Sequence, residues 1–310
     1  MRLPLPAPMR AMLTQSILRR DWLALLAGGA LANPSGYIDS HVHVWTPDRE
    51  RYPRAKPFEK VEAKPASFTA DELFAHARPL GVARVVLIQM SFYQFDNSYM
   101  LDTMAQYPGV FSGVGIVDEA SPDPEQKMRT LAQRGVRGFR IRPVDQPGNW
   151  LDTPAMAAMW KYGADRGLAM CPLLNPDALS AVDSMCSKFP DTTVVIDHLA
   201  RIGADGHVRN ADVRLLCSLA RHKRVHAKVS AFYALGKKKY PYRDLASLIR
   251  RVYEAYGPER LMWATDCPFQ VQNGHTYSGS VELVRDRLKF LTAGDKEWLL
   301  RKTAEKVFFA

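Results

Sequence analysis

The stretch Ile38-Asp39-Ser40-His41-Val42-His43-Val44-Trp45 alternates as a β-strand does and carries two histidines two residues apart. Successive side chains on a strand point to opposite faces, so His41 and His43 project together, with Asp39 one step below them on the same side. Two imidazoles converging on one small volume can hold a metal ion or polarise a substrate carbonyl. Taken alone, the pair is explained equally well as two core or surface histidines. The rest of the chain decides between these accounts.

From residue 37 onward, strand and helix signals alternate with short punctuated joints, the pattern of a parallel sheet built from βα units. Eight strands are expected: Tyr37–Trp45, Ala83–Met90, Phe111–Val117, Val136–Pro143, Leu168–Leu174, Thr192–Leu199, Arg224–Phe232 and Leu261–Phe269. Amphipathic stretches lie between them, among them Ala70–Pro79, Pro124–Arg134, Pro154–Arg166, Pro176–Phe189 and Tyr242–Tyr256. Several begin with a proline, whose missing N–H costs nothing in a first helical turn. Eight such units predict an α/β fold, a single-domain (β/α)8 TIM barrel. A doubly wound sheet is the runner-up, but no Gly-rich phosphate turn follows the first strand. A barrel places its chemistry at the C-terminal ends of the strands.

Outward from this core, the first 32 residues differ in kind. Arg19-Arg20 leads into an uncharged run, Trp22 to Ala32, which closes on Ala30-Leu31-Ala32 ahead of Asn33-Pro34. A basic region, a short apolar region and an A-x-A end describe an export signal, and the arginine pair points to the twin-arginine route. The expectation is a signal over 1–32, a barrel over 33–310 and a periplasmic location; a packed N-terminal helix on a cytoplasmic protein is the alternative. Met12 offers a second start for this segment. The apolar run is too short to span a bilayer, so no stable membrane anchor is expected.

The 310 residues carry a formal charge of +10, with acids and bases interspersed. Without Arg or Lys clusters alternating with exposed aromatics, this balance points to small anionic molecules as partners and away from nucleic acid. The one basic run, Lys237-Lys238-Lys239, reads as a solvated loop tip. Cys171, Cys186, Cys217 and Cys267 have no CxxC or zinc-ribbon spacing and read as buried thiols. A homo-oligomer is left open.

Polar residues at the strand ends supply the candidate site. Strand 2 offers Gln89 and Ser91, followed by a loop through Asp96-Asn97; strand 4 offers Arg140 and Arg142 on one side, and the strand phase decides whether they face the cavity. Guanidiniums turned inward are too costly to bury without an anion. Strand 5 has no histidine, lysine or carboxylate to bridge two metals. Strand 6 ends in His198, with Arg201 at the rim; strand 7 gives Lys228 and Ser230 in phase, for which a structural role is the stronger reading. On strand 8, Asp266 shares a face with Met262 and Ala264, where a carboxylate opposite two histidines can take a proton from water.

His41-Val42-His43, Asp197-His198-Leu199-Ala200-Arg201 and Thr265-Asp266-Cys267-Pro268-Phe269, in this order, resemble the amidohydrolase-related (amidohydrolase 2) barrels, in the branch of the pyrone-dicarboxylate and sugar-acid lactonases. The likeness covers roughly residues 37 to 309, including Asp96-Asn97, Gly138-Phe139-Arg140 and Ala304-Glu305-Lys306-Val307-Phe308. The resemblance implies hydrolysis of a cyclic ester. His41, His43 and His198 would polarise the carbonyl, directly or through one divalent metal, zinc or manganese, ligated with Asp266. Asp266 would activate water. Arg140, Arg142, Arg201, Gln89, Ser91, Asn97 and Lys228 would contact the substrate. The empty fifth strand departs from the binuclear members, so a mononuclear or metal-free hydrolase is expected. A metal-dependent decarboxylase of the same superfamily and a non-catalytic sugar-acid binding protein are the alternatives.

Overall fold

The computed structural model describes residues 36–143 and 150–310, so the expected export signal and its boundary with the barrel lie outside the described residues. Eight parallel strands pair in sequence order: β1 (Tyr37–Val42), β2 (Val82–Ile88), β3 (Phe111–Gly115), β4 (Val136–Ile141), β5 (Ala169–Pro172), β6 (Val194–Ile196), β7 (Val225–Val229) and β8 (Leu261–Trp263). The last strand meets the first through Ser40 Oγ to the Trp263 carbonyl at 2.7 Å, Asp266 N to the His41 carbonyl at 2.9 Å and His43 N to the Cys267 carbonyl at 2.8 Å. The expected barrel is therefore present. Its seam runs directly beneath the candidate site.

Helices α1 (Ala70–Ala77), α2 (Ser98–Gln106), α3 (Pro124–Gln133), α4 (Pro154–Arg166), α5 (Leu179–Lys188), α6 (Asn210–Ser218) and α7 (Ala246–Tyr256) follow strands 1 to 7. Local chemistry starts and stops them. Thr69 and Glu72 form a reciprocal capping box on α1, while Asp123 and Thr153 cap α3 and α4, each with proline at the first helical position. Gly167 ends α4 in the left-handed region, φ 64°, where a side chain would be strained.

Strand alternation sorts the apolar residues into two cores. Val85, Leu87, Phe139, Ile196, Val229 and Trp263 belong to the layer between strands and helices. Ile38, Val86, Ile88, Val114, Cys171, Val195 and Met262 fill the barrel lumen, closed from below by Ala304 and Phe308 of the helix Thr303–Phe308. Arg84 at the lower end of β2 pairs with Glu305 and fixes that helix. All four cysteines are free; Cys171, Cys186 and Cys267 are buried and Cys217 is partly so. Among the described residues, no helix is long and apolar enough to cross a membrane.

Asp39 departs from the expected phase. The β1–β2 register shifts between Asp39 and Val42, so Ile38 and His41, which have opposite parity, both reach the lumen. Asp39 is turned outward. It accepts from His41 N at 3.2 Å, Thr265 N at 2.9 Å, Thr265 Oγ1 at 2.5 Å and Tyr277 Oη at 2.6 Å. Burial nonetheless pushes its carboxyl up to about 6. This irregularity is the physical reason it does not stand below the histidines.

Candidate active site

The top of the lumen is a layer of charge on the apolar floor. Lys228, on β7, is completely buried; its Nζ lies 3.0 Å from Asp197 Oδ1 and 3.2 Å from His41 Nδ1. Arg140, inward on β4, donates to Asp197 Oδ2 at 3.1 Å and approaches His41 Nε2 at 2.8 Å. Burial alone would raise the Asp197 carboxyl, but Lys228, His41 and Arg140 outweigh it and hold the group well below the usual carboxylate range. Burial, aided by Lys228, lowers His41 well below the ordinary imidazole value. A neutral imidazole has one lone pair and one proton. Arg140, 2.8 Å from Nε2, is a closer donor than Lys228, 3.2 Å from Nδ1, which favours the lone pair on Nε2 and a Nδ1 proton directed to Asp197 Oδ1, 3.3 Å away.

Above this layer stand the other imidazoles and the second carboxylate. His43 Nδ1 donates to the Ile88 carbonyl at 2.9 Å, which aims Nε2 at His41 Nε2 and Asp266 Oδ1, each 3.3 Å away. Asp266 Oδ1 is also 3.5 Å from His41 Nε2, and Oδ2 is 3.8 Å from His198 Nε2. Burial works against ionised Asp266, but the imidazoles of His198, His43 and His41 outweigh it and keep the carboxyl below its usual range. Tyr233 donates its hydroxyl to Asp266 Oδ2 at 2.6 Å, and burial together with that carboxylate raises the phenol.

His198 reaches the site by an uncommon route. β6 ends at Ile196, and His198, Leu199, Ala200 and Arg201 all take left-handed backbone conformations, φ 53°, 52°, 52° and 55°. Each such non-glycine residue costs on the order of 1 kcal/mol or more. Complete burial of Leu199 and Ala200 offsets part of this, as does the 2.9 Å contact of His198 Nδ1 with Ser230 Oγ. Burial lowers the His198 imidazole. The turn explains why Asp197 and His198, adjacent in sequence, both serve the lumen. Strict alternation would allow only one.

A cavity of about 400 Å³ opens above these groups, lined by His43, Ser91, Arg140, His198, Tyr233 and Asp266, with Arg201 and Lys238 at its rim. Of the expected site residues, His41, His43, His198 and Asp266 come together, and Lys228 and Arg140 lie directly beneath them. Ser91 and Arg201 line the cavity. Gln89 does not: the lumen phase of β2 belongs to Val86 and Ile88, so the Gln89 amide turns away and donates to the carbonyls of Gln94 at 3.2 Å and Asp96 at 2.6 Å. Asn97 is likewise spent on backbone, bonding both N–H and C=O of Ile116. Arg142 lies past the end of β4, exposed, beside a neighbouring hollow it shares with Ser91 and Gln94.

Sequence reasoning missed three residues. Asp197 was hidden by the turn, though two inward cations on β4 and β7 called for a buried anion. Tyr233 and Lys238 follow β7 in loops without period; the basic run that holds Lys238 reads in sequence as a solvated tip, and no signal marks Tyr233.

His41, His43 and Asp266 offer ligand atoms within 4.8 Å of one another. With the His43 Nδ1 proton engaged by Ile88, lone pairs of two imidazoles and a carboxylate face one point, a donor set that suits a single divalent ion such as zinc or manganese. Arg140 already donates to the same His41 nitrogen, so such an ion binds only when the guanidinium turns aside.

An ionised layer, converging imidazoles and a carboxylate at the C-terminal mouth of a (β/α)8 barrel define an enzyme site of the barrel hydrolase class. The amidohydrolase family model matches residues 38–310, and the chain belongs to that family. It is 30% identical over 259 residues to the 2-pyrone-4,6-dicarboxylate hydrolase of Comamonas testosteroni, covering 80% of this chain and 82% of that one. It is 28% identical to the L-fucono-1,5-lactonase of Burkholderia ambifaria, over 77% of this chain and 82% of the relative. Among solved structures, a Burkholderia multivorans amidohydrolase with bound zinc superposes with a TM-score of 0.74 at 18% identity, covering 88% of this chain and 99% of that one. This last likeness is one of fold.

Proposed function

We propose that this protein hydrolyses a lactone of a small organic acid, with Asp266 as general base. The carrying observation is the Asp266 carboxylate, ionised in a buried site and faced by His43, His41 and His198 at 3.3, 3.5 and 3.8 Å below an open cavity. The ring-opening activities in the names of its relatives support the same reading.

Asp266 takes a proton from water as the oxygen attacks the lactone carbonyl carbon. Charge develops on the carbonyl oxygen, where the Arg140 guanidinium, fixed by Asp197, supplies positive potential already in place, and the imidazoles of His41, His43 and His198 border the same space. The tetrahedral adduct collapses by breaking the ring C–O bond. Asp266 returns its proton to the departing alkoxide, giving the hydroxy acid. Tyr233, by holding Oδ2, leaves Oδ1 for this traffic. A divalent ion held by His41, His43 and Asp266 would add Lewis acidity and a more acidic water.

Acid release from a lactone panel tests the reading. Asp266→Asn is expected to lower kcat by about 10²- to 10⁴-fold, with the folded protein intact by circular dichroism. Undiminished hydrolysis by this variant would falsify the mechanism. Chelation before assay then separates direct polarisation by the protein from polarisation through an ion.

The segment 1–32 supports a second proposal, delivery to the periplasm by the twin-arginine route. Terminal sequencing of the protein recovered from a periplasmic fraction should start at Asn33; an intact leader on active cytoplasmic enzyme would defeat it.

A further inference from the structure

The end of the barrel opposite the active site is also concave. Below the N-terminal ends of β6, β7 and β8 lies a hollow of about 780 Å³, lined by Lys223, Arg224, His226, Glu259, Arg260 and Lys306. An adjoining hollow of about 700 Å³ shares Lys306 and adds Arg129, Arg137 and Arg166. These cations are scattered along the chain, which therefore reads as interspersed charge, and the fold gathers them on one face. Among the described residues, only Arg224 of this group has a carboxylate within ion-pairing distance, Asp191 at 4.0 Å.

The first hollow is built on fixed groups. Arg260 donates Nε to the Tyr256 carbonyl at 2.9 Å and Nη1 to the carbonyls of Ala220 at 2.8 Å and His222 at 3.1 Å, which orients the guanidinium and leaves Nη2 unengaged. His226 forms the floor. It is only 7% exposed, its Nδ1 meets the Arg224 carbonyl at 3.0 Å, and no carboxylate pairs with it among the described residues. Burial, with Arg260 and Lys306 nearby, lowers that imidazole to about 4, as positive potential around the floor requires. Lys223, Arg224 and Lys306 are exposed and complete the wall.

Glu259 is the one acid in this lining, so a single carboxylate would leave most of the positive charge uncompensated. Arginine forks beside lysine point charges match the oxygens of phosphate groups. A nucleobase finds no face to stack on: the Tyr256 ring is buried, its hydroxyl donates to the Leu216 carbonyl at 2.8 Å, and the Arg260 guanidinium carbon lies 5.2 Å from the ring centre. A buried floor beneath exposed cations also suits a small molecule better than a flat bilayer.

We propose that this hollow is a second anion-binding site, separate from the active site, that takes a small oligophosphate through Lys223, Arg224, Arg260 and Lys306 above His226. Its occupancy is independent of what the active site turns over.

Calorimetry with tripolyphosphate on the full chain tests the site. Wild type should bind one equivalent with a Kd below about 1 mM at about 0.05 M NaCl, and more weakly as salt rises. Lys223→Gln combined with Lys306→Gln, both at exposed positions, should weaken binding by about 10-fold or more. Lys238→Gln, at the active-site mouth, should leave it unchanged. The His226 ring resonance, identified by its loss in His226→Gln, should move along the same binding curve. No saturable binding, equal binding by the double variant, loss in Lys238→Gln or an unmoved His226 resonance each overturns the proposal. Citrate bound as tightly as tripolyphosphate overturns the assignment to phosphate. Association with phosphatidylglycerol vesicles that tripolyphosphate fails to displace overturns it in favour of a membrane surface.

Discussion

β7 presents two basic side chains on one face, His226 toward the bottom of the barrel and Lys228 one step higher, and the two ends treat charge in opposite ways. Lys228 is fully buried but meets Asp197 at 3.0 Å. His226 is almost as deeply buried; its Nδ1 meets the Arg224 carbonyl at 3.0 Å, and burial, with Arg260 and Lys306 nearby, lowers its imidazole to about 4. On β7 the upper position keeps its charge by pairing it. The lower position, beside Val195, has no carboxylate partner among the described residues and loses its charge to burial, whereas Arg84 on β2 keeps its own by pairing with Glu305. The same strand thus serves as active-site wall and as core, and the counter-ion on β6 marks the change.

Removing the counter-ion arrangement should have the largest effect. Lys228→Met leaves Asp197 buried with less compensation, and breaking such a pair from one side costs about 3–5 kcal/mol. Denaturant midpoints should show that loss, and Lys228→Met combined with Asp197→Asn should recover at least half of it. A single variant as stable as wild type would mean that the two ends of β7 do not differ in the way described.

The lower end is tested by pH. Unfolded histidine binds protons near its ordinary value of 6.5, whereas folded His226 does so only near 4. Its contribution is therefore complete above pH 6.5, declines as pH falls toward 4 and is flat below, a total of about 3 kcal/mol. Asp39, raised to about 6, tilts stability the other way over part of this range. The His226 share is accordingly read from wild type against His226→Gln between pH 4 and 7, where wild type should lose stability relative to the variant as pH falls. Parallel curves would remove the contrast.

The barrel was legible because its signals are periodic. The βα alternation placed all eight strands, and His41, His43 and Asp266 were found because each lies near a strand end on the lumen side. Legibility failed where the backbone leaves that period. The shifted register of β1 turned Asp39 outward, and the left-handed turn after β6 concealed Asp197 while delivering His198. Gln89 and Asn97 were misplaced for a different reason: their amides satisfy loop carbonyls and an Ile116 N–H, a demand set by loop shape and invisible to strand phase. Lys238 and Tyr233 depend on how the loop after β7 folds back over the mouth. Tertiary packing alone decides that.

The turn from His198 to Arg201 has a consequence for redesign. One rigid turn carries the His198 imidazole beside Asp266 at one end and the Arg201 guanidinium at the cavity rim at the other, so grafting a new loop there would displace His198 with it. Lys238 rises from the loop after β7, which Gly236 N ties to the Gly203 carbonyl at 2.9 Å, and exchanging its side chain alone leaves that tie and the chemistry below in place.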